Sequence, residues 1–132
     1  MLSGGCLCGA VRYEIEGRTS AVWLCHCSKC RTGSGSAFAA AALCRLTAFR
    51  WVSGEDAIVE YDTPSGYPCR FCRTCGAKLP LLRAAAGQVL LPAGALAGEP
   101  VPRLLRHIFV GSKAPWWAIT DGRPQFDEHA PD

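Results

Sequence analysis

Seven of the nine cysteines fall into three tight clusters: Cys6-Leu-Cys8, Cys25-His26-Cys27-Ser-Lys-Cys30 and Cys72-Arg-Thr-Cys75. Thiols two and three residues apart suit a tetrahedral, thiolate-loving metal such as zinc. Its four ligands sit at about 2.0–2.3 Å, and a short turn or a strand can present two of them without strain. Two four-ligand sites need eight donors, and the clusters offer seven. The shortfall points to chemistry, because closed zinc sites are structural and sites with an open position bind water or substrate. The competing reading is a disulfide framework, as in short secreted chains. Against it stand the odd cysteine count and the opening Met1-Leu-Ser-Gly-Gly, which lacks the basic and apolar regions of a signal peptide. Residues two apart on a strand also miss the narrow geometry of a bridge.

The 132 residues suit one domain. The net charge of +3 is spread along the chain, and isolated arginines such as Arg12, Arg18 and Arg50 read as a solvated surface, not a nucleic-acid stripe. The longest apolar run, Ala37 to Cys44, is Ala-rich and far short of the roughly 20 residues of a membrane span. The expectation is a cytosolic protein without nucleic-acid or membrane partners. Lys29, Arg31, Arg70 and Arg73 interleave the cysteines and would favour a small anionic ligand.

The chain reads as short strands and turns. Val11, Tyr13 and Ile15 alternate with Arg12, Glu14 and Glu16, the period of a half-buried strand. Further strands are expected at Ala21 to Leu24, Phe49 to Val52, Ile58 to Asp62, Pro68 to Phe71, Val89 to Leu91, His107 to Val110 and Trp116 to Ile119. Turn compositions such as Ser-Gly-Glu-Asp and Thr-Pro-Ser-Gly separate several of them. Ala37 to Leu43 is ambiguous between helix and strand. The fold class is mainly β, with few or no short helices. Residues 1–127 form the domain and 128–132 a loose tail.

In an extended strand, residues i and i+2 share a face, so Cys6 and Cys8 can grip one metal together. Cys72 and Cys75 have knuckle spacing, and Cys8 and Cys75 are each followed by glycine, which admits the positive φ needed to fold the chain back. These matching Cys-Gly endings assign Cys6, Cys8, Cys72 and Cys75 to one closed, structural zinc site, clamping the N-terminal strand to the middle of the chain. Cys25, Cys27 and Cys30 remain as a second, three-ligand zinc site. His26 would point away from it in an extended stretch and is expected to hydrogen-bond to backbone. Zinc with three thiolates is a weak Lewis acid, yet it can keep a substrate thiol ionised and nucleophilic. The chemistry that follows is thiol activation, with Cys25, Cys27 and Cys30 at its centre.

Several stretches together resemble the glutathione-dependent formaldehyde-activating enzyme family, which also contains the centromere protein V domain. They are Gly5-Cys6-Leu7-Cys8-Gly9-Ala10-Val11, Cys25-His26-Cys27-Ser28-Lys29-Cys30-Arg31, Ser34-Gly35-Ser36, Phe71-Cys72-Arg73-Thr74-Cys75-Gly76 and Gly94, with His107-Ile108-Phe109-Val110 and Ser112-Lys113-Ala114-Pro115-Trp116. The resemblance spans roughly residues 3 to 127. It implies a β-tent fold, a structural zinc on the first and third motifs and a second zinc on the Cys25 cluster. It also implies a carbon–sulfur lyase that joins glutathione to formaldehyde as S-(hydroxymethyl)glutathione. The alternative is a non-catalytic zinc module that binds a protein partner.

Cys69 departs from the family's pattern by adding a second Cys-x-x-Cys with Cys72. It is either a small core residue on a strand, a fourth ligand of the second site, or a redox thiol. Cys44 reads as core. Trp116 and Trp117 read as core or pocket wall, and His107 as a satisfied core histidine. The Arg31-to-Ser36 stretch is the expected substrate-facing loop.

Overall fold

A computed structural model describes residues 1–66, 68–98 and 105–131. The first sheet has the order β10-β1-β2-β5, from β1 (Leu2–Gly5), β2 (Arg12–Ile15), β5 (Phe49–Ser53) and β10 (Leu96–Ala97). The second has the order β11-β3-β4-β9-β8, from β3 (Val22–Cys25), β4 (Ala39–Arg45), β8 (Leu81–Arg83), β9 (Gln88–Pro92) and β11 (Leu105–Ile108). A hairpin of β6 (Ile58–Asp62) and β7 (Pro68–Cys72) makes the third. One α-helix, α1 (Ser28–Ser34), and several short 3-10 turns complete the described residues. The mainly-β expectation holds.

Alternation in β2 buries Tyr13 and Ile15 and leaves Arg12 outside, as a half-buried strand requires. With Val11 they form one core with Cys6, Cys44, Cys72, Leu79, Val89 and Leu91. Val22, Leu24 and Ala42 form a second, smaller core under Phe38 and Leu105. The ambiguous alanine run is β4, hydrogen-bonded to β3 on one side and β9 on the other. Two-sided pairing overrides the helix preference of alanine.

Two expected strands differ. Trp116 to Ile119 forms no strand: Pro115 lacks an N–H to continue a ladder, and Trp117 N–H turns back to the Ala114 carbonyl at 3.1 Å. Trp116 is 70% exposed and Trp117 is exposed as well, so neither lies in the core. The strand expected at His107 to Val110 ends at Ile108, because Phe109 adopts φ 56° and starts a 3-10 turn. Phe109 is the one non-glycine residue with positive φ among the described residues. Within the segment set apart as a tail, the Glu128 carbonyl accepts from Phe109 N–H at 3.0 Å and the His129 ring meets the Phe109 ring edge-on. Asp132 lies outside the described residues.

Candidate functional site

The first cluster is assembled by two turns that face each other. The chain leaves β1 at Gly5 and reverses through Cys6-Leu-Cys8-Gly9, with Gly9 at φ 84° and its N–H on the Cys6 carbonyl at 3.2 Å. Cys6 and Cys8 therefore sit on a tight turn and not, as expected, along an extended strand. Gly5 ends the strand because the chain must turn at once to begin β2. The second turn follows β7: Cys72 ends the strand, and Gly76, at φ 75°, donates to the Cys72 carbonyl at 2.8 Å. Both glycines thus take the positive φ expected of them.

The Sγ atoms of Cys6, Cys8, Cys72 and Cys75 all lie within 4.8 Å of one another. Cys6 and Cys8 are 3.6 Å apart at sulfur, and Cys8 and Cys72 are 3.8 Å apart. Four sulfurs at about 2.3 Å around a tetrahedral ion would be about 3.8 Å from one another, and the two closest pairs match that spacing. Val11 N–H donates to Cys6 Sγ at 3.3 Å. Burial pushes the Cys6 thiol up, but this hydrogen bond and the Cys8 and Cys72 thiols outweigh it and bring it down. Hydrogen bonding to Ala77 backbone, then to Cys8 backbone, lowers Cys75 to about 6. Cys8 is favoured as a thiolate by Ala10 backbone, but the neighbouring sulfurs, Cys6 first, hold it at about 11.

The second cluster is local. Cys25 ends β3, Cys27 is the N-cap of α1, and Cys30 lies in the helix's first turn, with its N–H on Cys27 Sγ at 3.4 Å. The three Sγ atoms again lie within 4.8 Å of one another. The Cys30 thiol brings Cys25 down to about 6 against its burial, helped by Cys27 and by the charge of His129. The same hydrogen bond and burial push Cys30 upward. A metal ion binding here would displace the protons that the thiols carry. Both clusters could hold a metal ion on this geometry.

The Arg31-to-Ser36 stretch is not the expected loop. Its first residues complete α1, which Gly35 terminates at φ 65° by donating to the Arg31 carbonyl at 2.9 Å. A helix this short, with no buried residue and a glycine inside it, carries no amphipathic pattern to read. Its signals are the N-cap thiol and the C-terminal glycine.

His26 is not among the convergent ligands of the cluster, and its side chain does not bond to backbone as expected. Its Nε2 meets His107 Nδ1 at 2.8 Å, and His107 Nε2 meets Asp121 Oδ2 at 2.8 Å. Both rings are fully buried, and the Phe38 ring packs against His26 at a tilt of 54°. Burial first, then the charges of His107 and Lys113, holds the His26 ring below its ordinary value. Asp121 is held below the usual carboxylate range by Arg123 N–H and then by His107. His107 is thus the satisfied core histidine expected of it.

Cys44 is buried, as expected, with its thiol pushed up to about 11 by burial. Cys69 belongs to neither cluster: it is half-buried on β7 and accepts from Lys78 Nζ at 3.0 Å. Of the basic residues beside the cysteines, Arg70 is engaged by Glu60 at 2.9 Å. Arg31 donates to the His26 carbonyl at 3.4 Å, and Lys29 extends from α1 into solvent.

Three sheets carrying one four-thiol and one three-thiol cluster define a small β protein built around two potential thiolate metal centres. The chain belongs to the glutathione-dependent formaldehyde-activating enzyme family, whose model it matches over residues 1–112. A crystal structure of a Rhodobacter sphaeroides protein from structural genomics has the same fold. It aligns with TM-score 0.57 at 24% identity, covering 94% of this chain and 98% of that one. No curated protein matches the chain. No helix among the described residues is long and apolar enough to cross a membrane.

Proposed function

We propose that this protein is a zinc-dependent carbon–sulfur lyase acting on a thiol–aldehyde adduct, with glutathione and formaldehyde as the substrates that its family suggests. The observation that carries the reading is the inequality of the two clusters: four convergent thiols in one and three in the other. Cys6, Cys8, Cys72 and Cys75 would hold a structural ion, and Cys25, Cys27 and Cys30 a second one. Zinc held by three thiolates leaves room for one further donor, where a substrate thiol is kept as thiolate at neutral pH.

The reaction needs little else. The thiol sulfur forms a bond to the carbonyl carbon, the C=O π bond opens, and the proton lost from sulfur ends on the adduct oxygen. The protein's part is to bind and orient. Lys29 and Arg31, on the helix that carries Cys30, offer positive charge to the carboxylates of glutathione. Cytosol, where glutathione is plentiful, is the location this reading expects.

Exchange NMR at equilibrium tests it. Addition of the protein should speed exchange between free formaldehyde and the glutathione hemithioacetal above the uncatalysed rate, and Cys27→Ser should abolish the gain. Glutathione binding without acceleration would mean that a different aldehyde or thiol is used. Neither binding nor acceleration would favour a non-catalytic module that docks a protein partner, a reading for which the exposed Trp116 and Trp117 pair speaks.

A further inference from the structure

Behind the second cluster, a chain of hydrogen bonds runs from solvent to the residue between two of its thiols. Asp121 is partly exposed, at 40% of its side chain, and its Oδ2 lies 2.8 Å from His107 Nε2. His107 Nδ1 lies 2.8 Å from His26 Nε2. His26 Nδ1 is buried and has no hydrogen-bond partner among the described residues. A carboxylate only accepts, so His107 Nε2 carries a hydrogen; in a neutral ring its Nδ1 is then an acceptor. His26 must therefore donate from Nε2, which leaves its Nδ1 as a bare lone pair.

Residue 26 is also held at its backbone. Its N–H donates to the Ile108 carbonyl at 3.0 Å, and its carbonyl accepts from Arg31 Nε at 3.4 Å. With the ring fixed as well, the short stretch from Cys25 to Cys27 has little freedom. His107 is anchored in turn: its N–H donates to the Pro124 carbonyl at 2.8 Å and its carbonyl accepts from Phe126 N–H at 3.0 Å. The segment that supplies Asp121 lies beyond residues 1–112, the part that matches the family.

The geometry points to Asp121 and His107 as positioning residues for the Cys25/Cys27/Cys30 centre: the carboxylate sets one tautomer in both imidazoles and so locks the Cys25–Cys27 turn. This inference rests on the reading of that cluster as a metal site. It makes a surface carboxylate, far from the thiols in sequence, a determinant of how firmly the second ion is held.

The test has two arms, neither of which uses glutathione or formaldehyde. Long-range proton–nitrogen NMR of the zinc-loaded protein reads the ring tautomers directly; with three histidines in the chain, His129→Gln removes the third ring. Hydrogens on Nε2 of both His26 and His107 are expected. A hydrogen on Nδ1 of His107 overturns the proposed polarity. In the second arm, zinc competition against a chelator compares wild type with Asp121→Ala and Asp121→Glu, the first cluster serving as internal reference. Asp121→Ala should lose affinity at the second cluster alone, with the thermal melt of the first-cluster-loaded domain preserved and Asp121→Glu largely restoring affinity. Unchanged second-cluster affinity in Asp121→Ala overturns the positioning role by itself. A wild type that binds no zinc at Cys25, Cys27 and Cys30 overturns the metal reading together with it.

Discussion

At the scale of single residues, Tyr13 brings a hydroxyl into the core cluster around Val11, Ile15 and Leu91. Its ring is fully buried between Phe49 and Trp51, and its hydroxyl has no partner among the described residues. Gly4 opposite has no side chain because a Cβ there would run into that ring. An unsatisfied buried hydroxyl forfeits roughly 1–3 kcal/mol, so Tyr13→Phe should leave stability unchanged or raise it within that range in a denaturant titration. Burial, with the Cys6 thiol adding to it, pushes the Tyr13 hydroxyl from 10.0 up to about 12. A group whose folded value is raised keeps its stabilising effect below the unfolded value and loses it above. The wild type should therefore lose stability between pH 10 and about 12, and Tyr13→Phe should lose less. The cluster thiols were legible in the sequence because their spacing is itself the geometric requirement. Asp121 was not: its partner is fourteen residues away on another element, and a carboxylate in a loop carries no periodic signal.

At the scale of elements, the turn that carries Cys6 and Cys8 is braced from behind by the end of β5. Ser53 Oγ donates to the Ala10 carbonyl at 3.3 Å, and Gly54 follows at φ 80° with Ala10 packed directly against its Cα. Gly54→Ala would meet both a left-handed backbone, costing about 1–2 kcal/mol for an L side chain, and a clash with the Ala10 carbonyl. A fall in melting temperature larger than for Gly17→Ala is expected, since Gly17 has a similar positive φ of 93° but open space around it. Equal falls would remove the bracing role. Strands with clean alternation or aromatic and β-branched content, such as β2 and β6, could be read from the chain. β1, β8 and β10 were missed: each is only two to four residues long, too short to show alternation, and β8 and β10 lie at the edges of their sheets. The Trp116 strand failed for the opposite reason, since its aromatic residues fit a strand pattern but a proline precedes them.

For the whole molecule, the two clusters should differ in what they hold together. The first ties the turn after β1 to the turn after β7, across sixty-four residues between Cys8 and Cys72. Structural zinc is worth about 10–16 kcal/mol of apparent binding energy in small domains, comparable to the roughly 5–15 kcal/mol that keeps a domain folded. Cys72→Ser should therefore unfold or precipitate the protein. Cys27→Ser should leave a cooperative melt and reduce bound zinc from up to two ions per chain to about one by elemental analysis; equal collapse of both variants would make the second cluster structural too. The clusters also differ in when they can form during synthesis. Cys25, Cys27 and Cys30 are near neighbours in the chain and can meet as soon as residue 30 emerges from the ribosome, with almost no loop to close. The strand that backs them, β11, arrives only with residues 105–108, where it pairs parallel to β3. Cys6 and Cys8 must wait for Cys75. On the proposed reading the nascent protein would carry the three-thiol cluster long before the four-thiol one is complete, and the cluster with fewer donors is the one whose donors meet first.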